Sequence, residues 1–406
     1  MYVGEDVMDW TGVLARRMGR MKASEIRELL KLLDQPDILS FAGGIPDATL
    51  FPTAAYERAM GEALQNPAAL QYSVSEGYGP LRAWVADHMI SLGVPCGPEN
   101  IIITSGSQQA LDYLGKLLLT PRDTALVGWP TYLGALGAFN ACEPRYAPLD
   151  PWRNVAPNEM QAEAEAAGGK VKMAYLSPDF ANPTGETLDA SGRARLLDQA
   201  RALDIAVIED GAYQALRYNG EAIPSLQAMD VAEVGGIEAS RVIYCGSFSK
   251  VLAPGLRVGW VCAASPVIER LVLLKQAADL HSPTLNQIAT DRVARELFDT
   301  HVAKLRQVYS ARRDAMLDAL DRHMPEGVTW TRPEGGMFVW VTLPERMDAA
   351  EVLAQSLSSE RVAFVPGGAF HADGSGRNTL RLSFSCASEA QIAEGMERLG
   401  RLLRVQ

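Results

Sequence analysis

Between residues 100 and 263, short runs rich in Ile, Val and aromatic residues keep returning, and segments with helical periodicity separate them. NIIIT (100–104), TALVGW (124–129), KMAYLS (172–177), IAVIED (205–210), RVIYCGS (241–247) and RVGWVCA (257–263) read as strands. SGSQQALDYLGKLLL (105–119), TYLGALGAFNA (131–141) and SGRARLLDQARALD (191–204) read as helices between them. Strands without polar alternation are buried on both faces, and helices between them supply the cover. The pattern predicts an α/β fold with a mainly parallel sheet.

The flanks read differently. A helical stretch runs from about Asn286 to His323. After it, GGMFVWVTL, a helix around Ala349–Ser358, VAFVPG, LRLSFS and a final helix suggest a smaller α+β unit. Near the N-terminus, Met21–Asp34 reads as an amphipathic helix with Ser24 as N-cap and Ile26, Leu29, Leu30 and Leu33 on one face. Gly79–Gly93 is a second helix, with Pro80 in its first turn and Leu81, Trp84, Val85 and Leu92 facing inward. The expected division is an N-terminal arm and helix at 1–49 that joins the small domain, a large domain at 50–285 and a small domain at 286–406.

Charge and composition exclude several classes of function. The net charge of −11, with no long basic run, argues against nucleic acid or an anionic membrane as partner. No apolar run approaches the ~20 residues of a membrane span. Five scattered cysteines without a C-x-x-C pattern suit reduced thiols and a cytoplasmic location, and five histidines without ligand spacing predict no metal. A nucleotide-binding P-loop is absent, because Gly115-Lys116 is followed by Leu117 and position 110 is Ala.

In open α/β sheets, ligands bind beyond the carboxyl ends of the strands. After NIIIT come Ser105, Gly106, Ser107 and Gln108 at a helix start, where free N–H groups and the helix dipole favour phosphate. After KMAYLS comes PDFANPTG with Asn182; IAVIED ends on Asp210, with Tyr213 three residues on; after RVIYCG come Ser247, Ser249 and Lys250, then Arg257. A lysine amine, a carboxylate, a phenol, an amide and an anion cup are the groups that pyridoxal 5′-phosphate needs. Lysine suits covalent attachment because its pKa falls readily on desolvation. That explains an ammonium in the middle of SFSKVLAPG.

These motifs resemble the fold-type I, class I and II aminotransferases. SPDFANPTG looks like that family's N-P-T-G loop, IEDGAY its D-x-x-Y strand end, SFSKVLAPGLRVGW its lysine loop, and NTLRLSFS carries its carboxylate-binding arginine. Within the family, the 2-aminoadipate aminotransferase group is the best match, through ASEIRELLKLL, ILSFAGGIPDATLFP, LQYSVSEGYGPLR, TSGSQQALD, RPEGGMFVW and VAFVPGGAF. The resemblance implies a large domain with a seven-stranded sheet, and a homodimer with shared sites. It makes Lys250 the Schiff-base lysine and proton shuttle, Asp210 the partner of the pyridine nitrogen, and Asn182 and Tyr213 donors to the ring oxygen. Tyr132 would stack on the ring. Ser107, Gln108, Ser247, Ser249 and Arg257 would hold the phosphate, joined by Tyr72 of the other subunit. Arg381, with Asn182, would clamp the substrate α-carboxylate; Gly43 and Gly44 would line the substrate space with Tyr72, and Arg27 would meet a distal carboxylate.

Asp179 and Ala181 stand where the family usually has a small or polar residue and a glutamine, and an extra carboxylate there would disfavour acidic side chains. The implied reaction is transfer of an amino group from a 2-aminoadipate, aromatic or branched-chain L-amino acid to a 2-oxo acid such as 2-oxoglutarate. Another reaction of the same cofactor, of β-lyase or cyclase type, and a non-catalytic ligand-sensing module are the alternatives.

Overall fold

A computed structural model describes residues 8, 10–21, 37–152 and 155–404. The expected helix at 21–34, apart from Met21, lies outside the described residues, and so does Arg27. The first strand, β1 (Leu39–Ser40), pairs in parallel with Val362–Ala363 near the other end of the chain.

The central sheet has seven strands: β2 (Ile101–Thr104), β3 (Thr124–Val127), β4 (Arg145–Pro148), β5 (Val171–Leu176), β6 (Ala206–Asp210), β7 (Val242–Ser247) and β8 (Gly259–Cys262). Their spatial order is β2-β8-β7-β6-β5-β3-β4, and β8 alone runs against its neighbours. Every residue of β2, β3, β7 and β8 is buried, as continuous apolar runs require when helices cover both faces. Successive side chains go to opposite faces. Ile208, Tyr175 and Met173 pack with the helices Ser107–Leu118, Leu133–Asn140 and Ser265–Ala278, whereas Val207 and Ala174 pack with the helix Ala190–Leu203.

Beyond the sheet, the helix Thr284–His323 has 40 residues, a span of about 60 Å at 1.5 Å per residue. It begins two residues before the expected start and ends where expected. Gln287, Phe298, Val302, Leu305, Tyr309 and Leu320 are among its buried residues. A four-stranded antiparallel sheet follows, built from β9 (Thr329–Trp330), β10 (Phe338–Thr342), β12 (Val365–Pro366) and β13 (Thr379–Ser383) in the order β12-β13-β10-β9; β11 (Val362–Ala363) is the partner of β1. Apolar periodicity does not single out β4, whose residues are half-buried or exposed at the sheet edge, nor the helices Thr53–Ala63, Pro157–Ala166 and Leu226–Val234. Among the described residues no helix is long and apolar enough to cross a membrane.

Candidate active site

The ends of the parallel strands β2, β6 and β7 bring most of the site together, and β13 and the Ala42–Gly44 backbone join it. At the end of β2 the chain turns through Gly106, whose φ of +80° suits glycine, and enters the helix at Ser107. The first N–H groups of that helix have no partner within it. A Cβ on Gly106 would lie 2.3 Å from Arg257 Nη2, so the guanidinium closes over this turn. Arg257 itself has φ +54° and donates to the Pro254 carbonyl at 3.1 Å. The Gln108 amide donates to the Gly134 carbonyl at 2.7 Å and accepts from the Tyr132 hydroxyl at 3.4 Å, which ties Tyr132 to the helix start. Ser247 and Ser249 are buried at the end of β7, and Ser247 Oγ accepts the Ser249 N–H at 3.0 Å. Ser105 departs from the expected cradle: its hydroxyl turns to Ser282 at 3.0 Å and Asp279 at 3.3 Å.

Asp210 ends β6 and is buried. Burial raises its pKa; the Tyr175 hydroxyl, donating to Oδ2 at 2.8 Å, the Ala212 N–H at 3.3 Å and the Lys250 charge oppose that rise. Tyr175 has no motif signal, because a tyrosine in a buried apolar strand normally just packs. Its contact with Asp210 across neighbouring strands is what gives it a role. The adjacent Glu209 faces the other way, where its two oxygens accept the Leu226 and Gln227 N–H groups at 2.9 Å. One residue of register separates a helix cap from a site carboxylate.

Lys250 Nζ donates to the Gly44 carbonyl at 2.9 Å and lies 5.8 Å from the Tyr213 ring centre. Burial, then the Arg381 charge, lowers its pKa to about 8, with Asp210 opposing. Tyr213 is pushed up, chiefly by burial, and Asn182 beside its hydroxyl pulls it down. Arg381, on β13, is buried; it donates from Nη1 to Asn182 Oδ1 at 2.7 Å and from Nη2 to the Ala42 carbonyl at 2.8 Å. Its guanidinium lies 4.3 Å and 5.0 Å from the ring centres of Phe338 and Phe370. Burial lowers its pKa to about 10, so it stays charged at neutral pH. Its Nε has no partner among the described residues. A guanidinium has five N–H donors, so Nε and the remaining Nη protons are available to a carboxylate. A Cβ on Gly44 would lie 3.1 Å from Phe338 and 3.5 Å from Arg381 Nη2, so glycine lets the backbone approach both.

Asp179 corrects an expectation. It is buried and bonded to Arg193 at 2.8 Å and Arg217 at 3.4 Å, so its charge is neutralised by two guanidiniums and does not stand free against an acidic substrate. Tyr72 does not join the cluster in its own chain: it is 79% exposed, and its ring centre is 6.0 Å from that of His281.

The donor set fits pyridoxal 5′-phosphate: a desolvated amine, a strand-end carboxylate, a helix-start turn covered by an arginine, and a phenol and an amide between them. A lysine whose pKa is lowered to about 8 keeps a usable fraction of nucleophilic free amine at neutral pH. We therefore expect apoprotein to capture the cofactor at a rate that falls about tenfold per pH unit below pH 8, where the amine is protonated, and levels off above it. Stopped-flow absorbance measures this, and a rate that climbs steadily towards pH 10 contradicts it.

The aminotransferase class I and II family model matches residues 36–399. The 2-aminoadipate transaminase of Thermus thermophilus is 43% identical over 399 residues, covering 98% of this chain and 98% of its own. An aromatic-amino-acid aminotransferase of Thermococcus litoralis is 42% identical, covering 98% and 95%. The crystal structure of an alpha-aminoadipate aminotransferase from Thermus thermophilus, complexed with N-(5'-phosphopyridoxyl)-L-leucine, superposes with a TM-score of 0.87 at 42% identity over 98% of this chain and 99% of that one. With that likeness running through nearly the whole length of both chains, this protein belongs to the class I and II aminotransferases and is a pyridoxal phosphate-dependent transaminase.

Proposed function

We propose that the chain moves the amino group of an L-amino acid, with 2-aminoadipate first and aromatic and branched-chain donors next, to a 2-oxo acid such as 2-oxoglutarate in a ping-pong cycle. The observation that carries this reading is the convergence of Lys250, Arg381, Asn182 and Tyr213 around the Ala42–Gly44 backbone. The 2-aminoadipate and aromatic activities of the two relatives support the donor classes. The paired charge of Asp179 removes an objection to an acidic side chain.

When bound, pyridoxal phosphate supplies the electron sink that makes an amino-acid Cα–H bond acidic. Arg381 and Asn182 receive the α-carboxylate and orient the Cα–H bond towards Lys250. Lys250 Nζ, held at the Gly44 carbonyl, would act as the general base towards the Cα proton and then as the acid that gives it back. Asp210, steadied by Tyr175, would hold the proton on the cofactor ring nitrogen. Tyr213 and Asn182 would donate to the ring oxygen, and Tyr132 would lie over the ring. Ser107, Gln108, Ser247 and Ser249 would hydrogen-bond the phosphate and Arg257 would offset its charge.

The enzyme works as a cytoplasmic homodimer, in which Tyr72 reaches the partner's phosphate site; its exposure at 79% in the single chain supports that. The large unit is taken as 50–285, and the small unit as 286–406 joined by the arm at 1–49.

The test is a visible spectral titration of the cofactor-loaded enzyme with L-2-aminoadipate, L-glutamate, L-phenylalanine and L-leucine. We expect 2-aminoadipate to convert the bound cofactor to its amine form at the lowest concentration and 2-oxoglutarate to reverse the change. The donor assignment fails if 2-aminoadipate is the weakest of the four. The transfer reading fails if no donor gives a change that 2-oxoglutarate reverses.

A further inference from the structure

A charge cluster around the buried Lys275 lies against the Thr104–Ser107 turn, and the reaction as read does not use it. Lys275, on the helix Ser265–Ala278, has no side-chain exposure. Its Nζ donates to Gln109 Oε1 at 2.9 Å, to Asp279 Oδ1 and Oδ2 at 3.0 and 3.1 Å, and to Ser282 Oγ at 3.0 Å. Those three residues match the three protons of an ammonium, so Lys275 has none left for a ligand.

The same acceptors grip the turn. Gln109 Oε1 also accepts the Ser105 N–H at 2.8 Å, and Gln109 Nε2 donates to Asp279 Oδ2 at 2.7 Å. Ser105 Oγ meets Ser282 Oγ at 3.0 Å and Asp279 Oδ2 at 3.3 Å, and the Tyr113 hydroxyl reaches Asp279 Oδ1 at 3.4 Å. The Gln109 carboxamide is thus a bridge: one oxygen joins the buried ammonium to the backbone of the turn. The bridge ties up the Ser105 N–H, Asp279 and Ser282 hold its Oγ, and together they fix the approach to Gly106, at φ +80°. The N–H groups of Ser107 and Gln108 at the helix start are then left to face an anion. A buried ammonium is costly unless it is paired and fully hydrogen-bonded, and the partners of this one are Gln109, in the helix that follows the turn, and Asp279 and Ser282.

We propose that Lys275 is a positioning residue for cofactor phosphate: through Gln109 and Asp279 it holds the Ser105–Ser107 turn in its anion-binding shape. This rests on reading Ser107, Gln108, Ser247, Ser249 and Arg257 as the phosphate cup. A purely structural lysine would affect every ligand alike, whereas a positioning lysine affects ligands that carry the phosphate.

The experiment measures the affinity of apoprotein for pyridoxal 5′-phosphate and for pyridoxal, which lacks the phosphate, by fluorescence titration. The variants are Lys275→Met, Gln109→Leu and Lys275→Arg. Gln109→Leu strips the acceptor from the Ser105 N–H, and Lys275→Met removes the ammonium that holds Gln109, Asp279 and Ser282 together, so about tenfold weaker pyridoxal 5′-phosphate binding is expected in both. Pyridoxal affinity should stay unchanged, and Lys275→Arg should recover part of the loss. Gln109→Leu keeps the Lys275–Asp279 pair, so it carries the test if Lys275→Met does not fold. The proposal is overturned if the preference for the phosphorylated ligand stays within about twofold of the parent, or if both ligands weaken equally. A parent protein with no preference between the two ligands would instead overturn the phosphate-cup reading, and the proposal with it.

Discussion

Replacing Lys250 with alanine is expected to lower turnover by roughly four orders of magnitude, the upper range for loss of a proton-transferring group. The protein should still fold. Among the described residues Lys250 Nζ makes one hydrogen bond, to the Gly44 carbonyl, and burial already works against its charge. Removing a cation that the site destabilises costs little, so the thermal midpoint should stay close to that of the parent. Single-turnover kinetics with 2-aminoadipate measures the first effect and calorimetry the second. A variant that keeps turnover within about tenfold would remove Lys250 from the proton path. A variant that loses activity by unfolding would make it a structural residue.

Arg381→Lys should lower kcat/KM by about a hundredfold or more, near 3 kcal/mol, as for one partner lost from a buried charge pair. Lysine keeps the charge but not the planar fork. In the parent, Asn182 and the Ala42 carbonyl take one proton from each Nη nitrogen, and Nε stays unpartnered. An ammonium in the same pocket has only three protons: keeping both partners leaves one, so it can meet a carboxylate through a single hydrogen bond and not through a fork. The loss should therefore be shared by all amino donors, because each carries the α-carboxylate. Kinetics across the four donors tests this: a uniform fall is expected, and a fall confined to acidic donors would place Arg381 on the side chain instead.

The sheet and most of the cluster were legible because the chemistry sits at strand ends. Asp210, Ser247 and Lys250 interrupt or terminate buried apolar runs, and polar groups are costly there unless something uses them. What stayed hidden depends on long-range partners. Tyr175 meets Asp210 across 35 positions, and nothing local distinguishes it from a packing tyrosine. Asp179 read as a stray carboxylate because Arg193 and Arg217 lie 14 and 38 residues away. Lys275 and Asp279 have the spacing of an exposed helical ion pair, and only tertiary packing buries the lysine. The edge strand β4 lacks an apolar pattern because its faces are not buried. Helices such as Pro157–Ala166 bury few side chains, which leaves periodicity little to mark.

The central claim is that Lys250 is the residue that carries the cofactor. The most direct measurement is borohydride reduction of the pyridoxal phosphate-loaded protein, followed by proteolysis and mass spectrometry to locate the reduced phosphopyridoxyl group. The account predicts that group on Lys250 in the peptide spanning SFSKVLAPGLR. Label on any other lysine, with Lys250 unmodified, would contradict it.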